Sequence, residues 1–120
     1  MNADARKYLF DARQAAGLVE EFCRGRTFES YQLDALLRSA VERQFEIVGE
    51  ALGRLSKLDA ALVARIADAP RIIAFRNVLI HGYATISNKL VWSVVTDDLP
   101  ALIATLEALL HDDHGGNVRG

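Results

Sequence analysis

Cysteine is almost absent from this chain: the single Cys23 excludes an internal disulfide framework and a cysteine-rich zinc site. Nothing in its flanks would depress a thiol pKa, so Cys23 reads as an inert packing residue suited to a reducing compartment. Surplus positive charge is missing too. Fourteen Lys and Arg against sixteen Asp and Glu leave a formal charge of −2, which excludes a general basic field for nucleic acid or anionic membrane and confines any RNA contact to a local patch. No run of about 18 apolar residues exists, and the opening "MNADARKYLF" lacks the apolar segment of a signal peptide. A cytoplasmic protein without membrane contact is expected. Alternating strand patterns are hard to find, and repeats, linkers and low-complexity segments are not seen.

What is present is helical periodicity. A chain of 120 residues with 51% hydrophobic and 25% charged content sustains one domain around one core, and the period predicts an all-α fold. A first helix is expected from Asp4 to about Arg24, with Leu9, Ala12, Ala16, Val19, Glu20 and Cys23 facing inward, before "RGRTF" breaks it. A second, continuous helix is expected from about Ser30 to Leu55. Its stripe runs Leu33, Leu37, Ala40, Gln44, Ile47, Ala51, Leu55, widened by Leu36, Val41, Val48 and Leu52. "SKLDAALVARIADAP" reads as a short helical connection ended by Pro70, where a third long helix starts. Helix resumes in "SNKLVWSVVTDDLPALIATLEALL", with Ser87 or Asn88 as cap and Pro100 kinking or restarting it. Residues 1–111 make the helical domain and 112–120 a flexible polar tail.

The stretch "RIIAFRNVLIHGYATI" carries the chemistry. By wheel position Arg76 lies between Ile72 and Leu79 on one side and Ile73 and Ile80 on the other, so a mostly buried helix is expected. A charge there must meet carboxylates or face a wet cleft, because an unpaired one costs several kcal/mol or more. Asn77 and His81 are four apart and share a face, whereas Arg76 and His81 are roughly 140° apart on an ideal wheel. Gly82 supplies the helix end through its access to the left-handed conformation. Tyr83 follows just beyond. Glu42, Glu46 and Glu50 form a column of like charge on the second helix, for which Arg76 and Arg43 are the candidate partners.

Arg76, four residues, His81, one residue, Tyr83 resembles the signature of HepT-like toxins in the HEPN superfamily. These are small helical ribonucleases encoded with a minimal nucleotidyltransferase antitoxin, in what are called type VII toxin–antitoxin pairs. "SAVERQFEIVGEALGRLS", Ser39 to Ser56, is similar to that family's long second helix, and "FRNVLIHGYATISNKLVWSVVTDDLPAL" to its active-site helix and the segment after it. The resemblance implies an up-and-down bundle of four to five helices and a homodimer whose active-site helices line one cleft. It also implies metal-independent RNA cleavage, with no cofactor of the chain's own. The partner enzyme would use ATP and Mg²⁺ to place AMP on Tyr83.

The residue types suit that chemistry. Metal-free cleavage of RNA needs a base for the 2′-hydroxyl proton, an acid for the leaving 5′-oxygen and cationic donors for the phosphorane. His81 fits the first two tasks, and Arg76 offers a permanently charged fork that matches phosphate oxygens. Asn77 can orient His81 or the phosphate, and Tyr83 can contact RNA. Two chains would supply the two histidines that base and acid require. A second class of function also fits: a noncatalytic helical subunit that binds or dimerises for a nucleotidyltransferase. Without the resemblance, Arg76 and His81 read as structural residues paired with acids of another helix. Trp92, with Val91, Val94 and Val95, is expected in the core or an interface. His111 and His114 are not expected to form a metal site.

Overall fold

The computed structural model describes residues 1–82 and 86–119, the side chains of 113–119 excepted. Within them the chain is all-α, with helices α1 (Ala3–Cys23), α2 (Phe28–Leu33), α3 (Ala35–Leu58), α4 (Ala60–Val63), α5 (Ala69–His81), α6 (Asn88–Ser93) and α7 (Leu99–Arg119). Helix α1 starts where Asn2 accepts the backbone N–H groups of Asp4 and Ala5 at 2.7 and 3.3 Å, a cap whose loss costs about 1 kcal/mol. It buries Ala5, Leu9, Ala12, Ala16, Val19 and Cys23, so most of the expected stripe faces inward. Glu20 does not: it is exposed beside Arg24, because a carboxylate on the stripe's margin keeps its solvation by turning outward. The run of alanines lets α1 lie close along α3, its main partner. Burial pushes the Cys23 thiol up to about 11, as an inert packing cysteine requires.

The second helix is not continuous. Asp34 is extended, at φ −110° and ψ 96°, and separates α2 from α3. Its carboxylate accepts the Leu37 N–H at 3.0 Å and pairs with Arg26 at 3.3 Å, so a side chain that caps a helix wins over the apolar periodicity running through it. Leu33 and Leu36 flank this corner and are 86% and 81% exposed, not part of the core as the stripe implied. Beyond this corner Leu37, Val41, Val48, Ala51, Leu52 and Leu55 are buried as expected, whereas Ala40, Gln44 and Ile47 are only partly covered and Phe45, outside the expected stripe, is fully buried. Phe45 meets Phe75 of α5 edge to face at 5.3 Å. Trp92 is half-buried against Tyr31, ring centroids 5.3 Å apart.

Of the two expectations at Pro100, a kink or a restart, the restart is found: α7 begins at Leu99, directly after a π-helical turn. Residues Val94–Asp98 form the π-helical turn between α6 and α7, while α6 is capped by Ser87, which accepts the Leu90 N–H at 3.3 Å. Pro100 lacks the N–H that an α-turn would direct at the Thr96 carbonyl, and the wider turn relieves the clash of its ring with that carbonyl. The wider turn also carries Asp98 inward, where it is 6% exposed. Backbone helix then continues through the glycine-containing stretch to Arg119.

Candidate functional site

Helix α5 is built to end at a defined point. Pro70 occupies its first turn, and Gly82 stops it at φ 59°, ψ 34°, the left-handed region that glycine enters without steric cost. The helix packs chiefly on α3 through Ala69, Ile72, Phe75 and Leu79. The expectation of a mostly buried helix is therefore corrected: α5 lies at one edge of the bundle, and Ala74, Asn77, Ile80 and His81 are exposed. An apolar sequence shows only that a helix can be covered, not that its own chain has enough helices to cover it.

Arg76 sits on the boundary between those faces, with its side chain 27% exposed. Its Nη2 donates to Glu50 Oε2 and its Nη1 to Asn77 Oδ1 at 3.0 Å, while Nε is buried without a hydrogen-bond partner among the described residues. The other oxygen of Glu50 accepts Arg54 Nε at 2.9 Å. One carboxylate thus bridges two arginines. The Arg54 hydrogen bond, with the charges of Arg76 and Arg54 close by, holds Glu50 below the ordinary glutamate range although partial burial opposes it. The rest of the acidic column is handled differently: Glu46 pairs with Arg43 at 3.5 Å, and burial pushes Glu42 upward. The expected partners, Arg76 and Arg43, are both found.

Of these groups Arg43, Glu46, Glu50, Arg54 and Arg76 line a groove of about 800 Å³ between α1, α3 and α5, whereas Glu42 and Asn77 do not. Lys7, Arg43, Arg54 and Arg76 give it cations, Asp11, Glu46 and Glu50 give it acids, and Ile47, Ala51 and Ile80 give it an apolar floor. Lys7 and Asp11 pair across one helical turn at 3.0 Å. In a chain of net charge −2, the groove gathers three guanidinium groups, each paired with a carboxylate of the same groove. His81 closes α5 as its exposed last residue, roughly 7.5 Å further along the axis than Arg76 at about 1.5 Å per residue. Tyr83 lies outside the described residues, as does the side chain of His114; His111 is exposed. Among the described residues no three His, Cys, Asp or Glu side chains gather as metal ligands.

Sequence reasoning missed Gly49. A Cβ built on it would stand 2.1 Å from Arg76 Cβ and 2.6 Å from Arg76 Cγ, so only glycine lets α5 approach α3 with Arg76 at the crossing. A glycine inside a long helical pattern was the available signal, because it costs about 1 kcal/mol relative to alanine and needs a packing reason. Arg71 was missed as well. It forms an ion pair with the buried Asp98, nitrogen to oxygen 3.0 Å, without hydrogen-bond alignment.

The fold and site define a small α-helical protein with an arginine fork in an open groove, on a helix that ends in histidine and glycine. The family described as Ribonuclease HepT-like matches residues 12–109, and the chain belongs to that family. It is 32% identical over 109 residues, 91% of this chain and 98% of the relative, to a probable ribonuclease HepT of Thermococcus cleftensis. Two putative RNases of Methanocaldococcus jannaschii are 28% identical over 106 residues and 26% identical over 114 residues, covering 87% and 93% of this chain and 94% and 92% of those proteins. No solved structure matches the chain. No helix among the described residues is long and apolar enough to cross a membrane.

Proposed function

We propose that this chain is the toxin ribonuclease of a HEPN-type toxin–antitoxin pair, acting in the cytoplasm on RNA without a metal ion. The observation that carries the reading is the Arg76 fork, hydrogen-bonded into an open groove on the helix that His81 closes, in a chain whose relatives are named as ribonucleases. In the proposed reaction a histidine removes the proton of the ribose 2′-hydroxyl, and the 2′-oxygen forms a bond to the adjacent phosphorus. The bond from phosphorus to the 5′-oxygen breaks as a second, protonated histidine gives that oxygen a proton. Products are a 2′,3′-cyclic phosphate and a 5′-hydroxyl. Arg76 donates to the non-bridging oxygens, where charge develops in the transition state. Asn77 Oδ1 is directed at Arg76, so its amide N–H groups are the donors left for phosphate or for His81 one turn on.

Base and acid require two histidines, and a homodimer would bring His81 of each chain to one cleft. The exposed side of α5, with Ile80 43% exposed, supports such a contact. Tyr83, one residue beyond the helix stop, is the proposed site at which a nucleotidyltransferase antitoxin attaches AMP from ATP with Mg²⁺. The added phosphodiester would compete with RNA for the donors of Arg76. Cleavage by the purified chain should persist in excess chelator and leave cyclic phosphate ends. A requirement for Mg²⁺ would overturn the mechanism. The compensated charge of the groove favours a second reading, a noncatalytic binding subunit, and growth on expression of this chain alone separates the two: arrest supports the toxin, indifference the binding subunit. Intact mass after incubation with the antitoxin, ATP and Mg²⁺ tests the modification, which Tyr83→Phe should abolish.

A further inference from the structure

Besides Asn77, the two residues that hold Arg76 are consecutive in α3. Gly49, by lacking a Cβ, leaves the space that Arg76 Cβ and Cγ fill, and Glu50 holds the far end of the same side chain through Nη2. Stem and head are thus fixed by one turn of one helix. Glu50 is itself immobilised, because its second oxygen accepts Arg54 at 2.9 Å. The donors of the guanidinium can be counted. Of its five N–H groups, one on Nη2 goes to Glu50, one on Nη1 goes to Asn77, and the Nε–H is buried. Among the described residues one N–H remains on each terminal nitrogen, able to donate to phosphate oxygens.

We propose that Glu50 is a positioning residue: it acts through Arg76, fixing the rotation of the fork so that the remaining pair of N–H groups is presented to the phosphate. This rests on the ribonuclease reading above and adds to it a residue outside the Arg76–His81 motif. The two-sided grip supports positioning over screening, since a carboxylate that merely occupied the phosphate site would not need Arg54 on its other oxygen. Glutamine cannot replace it. An amide offers one oxygen to two arginines and turns an N–H₂ group towards the other.

The test is a double-mutant cycle on RNA cleavage under single-turnover and steady-state conditions, with wild type, Arg76→Ala, Arg76→Lys, Glu50→Gln, Glu50→Ala and the Glu50→Ala, Arg76→Lys double variant. Glu50→Gln and Glu50→Ala should each lower kcat about tenfold or more, since small misplacements of a charge-stabilising group are costly, and change KM by less than about threefold, because groups that bind ground and transition states alike move KM instead. In the Arg76→Lys background Glu50→Ala should cost nothing further, as expected for a residue acting only through the fork. A rise in kcat on Glu50→Gln, an unchanged rate, or an undiminished loss in the Arg76→Lys background would each overturn the proposal. So would rotation of the Arg76 guanidinium, followed by NMR, that is no faster in Glu50→Ala than in wild type. Cleavage by Arg76→Ala at the wild-type rate would instead remove the ribonuclease reading itself.

Discussion

The two ion pairs of α5 divide their burial in opposite ways. By side chain, near the start of the helix Arg71 is 53% exposed and its partner Asp98 only 8%; at the groove the Arg76 side chain is 27% exposed and that of its partner Glu50 41%. In the first pair the acid carries the desolvation, and burial pushes Asp98 above the ordinary carboxylate range despite the charge of Arg71. In the second the cation is the more enclosed group, and Glu50 is lowered, first by the Arg54 hydrogen bond. A buried carboxylate with a solvated arginine can only tie α5 to the π-turn. An enclosed arginine with a solvated carboxylate keeps a permanent positive charge at the edge of a groove, as the proposed phosphate contact requires.

Exchange of roles between the two arginines is the hardest test of that contrast. Arg76→Ala and His81→Ala should each lower RNA cleavage by about 10² or more, the usual contribution of charge-stabilising and acid–base groups. Arg71→Ala should leave the rate within about threefold but cost about 1–3 kcal/mol in stability, because it strands Asp98 buried without its counter-charge. Comparable losses at Arg71 and Arg76 in one cleavage assay would erase the distinction.

A second comparison is between the glycines one turn apart on α3. Gly49→Ala should destabilise by about 1–3 kcal/mol as α5 is forced away, and should reduce cleavage through the displaced Arg76. A Cβ on Gly53 meets no atom within 4 Å, so Gly53→Ala should stabilise by up to about 1 kcal/mol through helix propensity. Chemical denaturation of both variants measures the pair, and equal effects would contradict the close crossing.

The smallest expected effects lie in the pH dependence of stability. Glu50 is lowered on folding, so its contribution is present above the unfolded carboxylate pKa and is lost as pH falls through the folded value, below about 4.5. Asp98 is raised, so its contribution is full below its unfolded value of 3.8 and is lost as pH rises through the folded value. Glu50→Gln should therefore flatten the fall in Tm on acidification, whereas Asp98→Asn should leave Tm at pH 7 unchanged or slightly raised. Identical pH profiles for the two variants would show that burial does not distinguish these carboxylates.

Much of the site was legible because its signals are local. Arg76, His81 and Gly82 lie within one helix end, and the three- to four-residue period from Leu37 to Leu55 is a property of consecutive residues, independent of what covers them. Asp34 shows where that logic fails: the apolar period runs straight across it, yet one carboxylate accepting the Leu37 N–H splits the helix and leaves Leu33 and Leu36 in solvent. Glu20 fails for a related reason, since its position near the stripe fixes a direction but not the solvation its charge retains.

By itself the sequence determined the helical class, the stop at Gly82, and the demand that an arginine set among isoleucines and leucines find an acid or water, because desolvating a lone guanidinium costs more than a small domain can bear. Only the tertiary structure decided which acid. Glu42, Glu46 and Glu50 are equivalent by spacing, and the crossing of α5 over Gly49 selects Glu50. It likewise decided that Gly49 and not Gly53 is the indispensable glycine, and that the more enclosed member of one pair is Asp98 while that of the other is Arg76. Each of these depends on where two helices touch, and a contact between residues far apart in the chain leaves no periodicity in either segment.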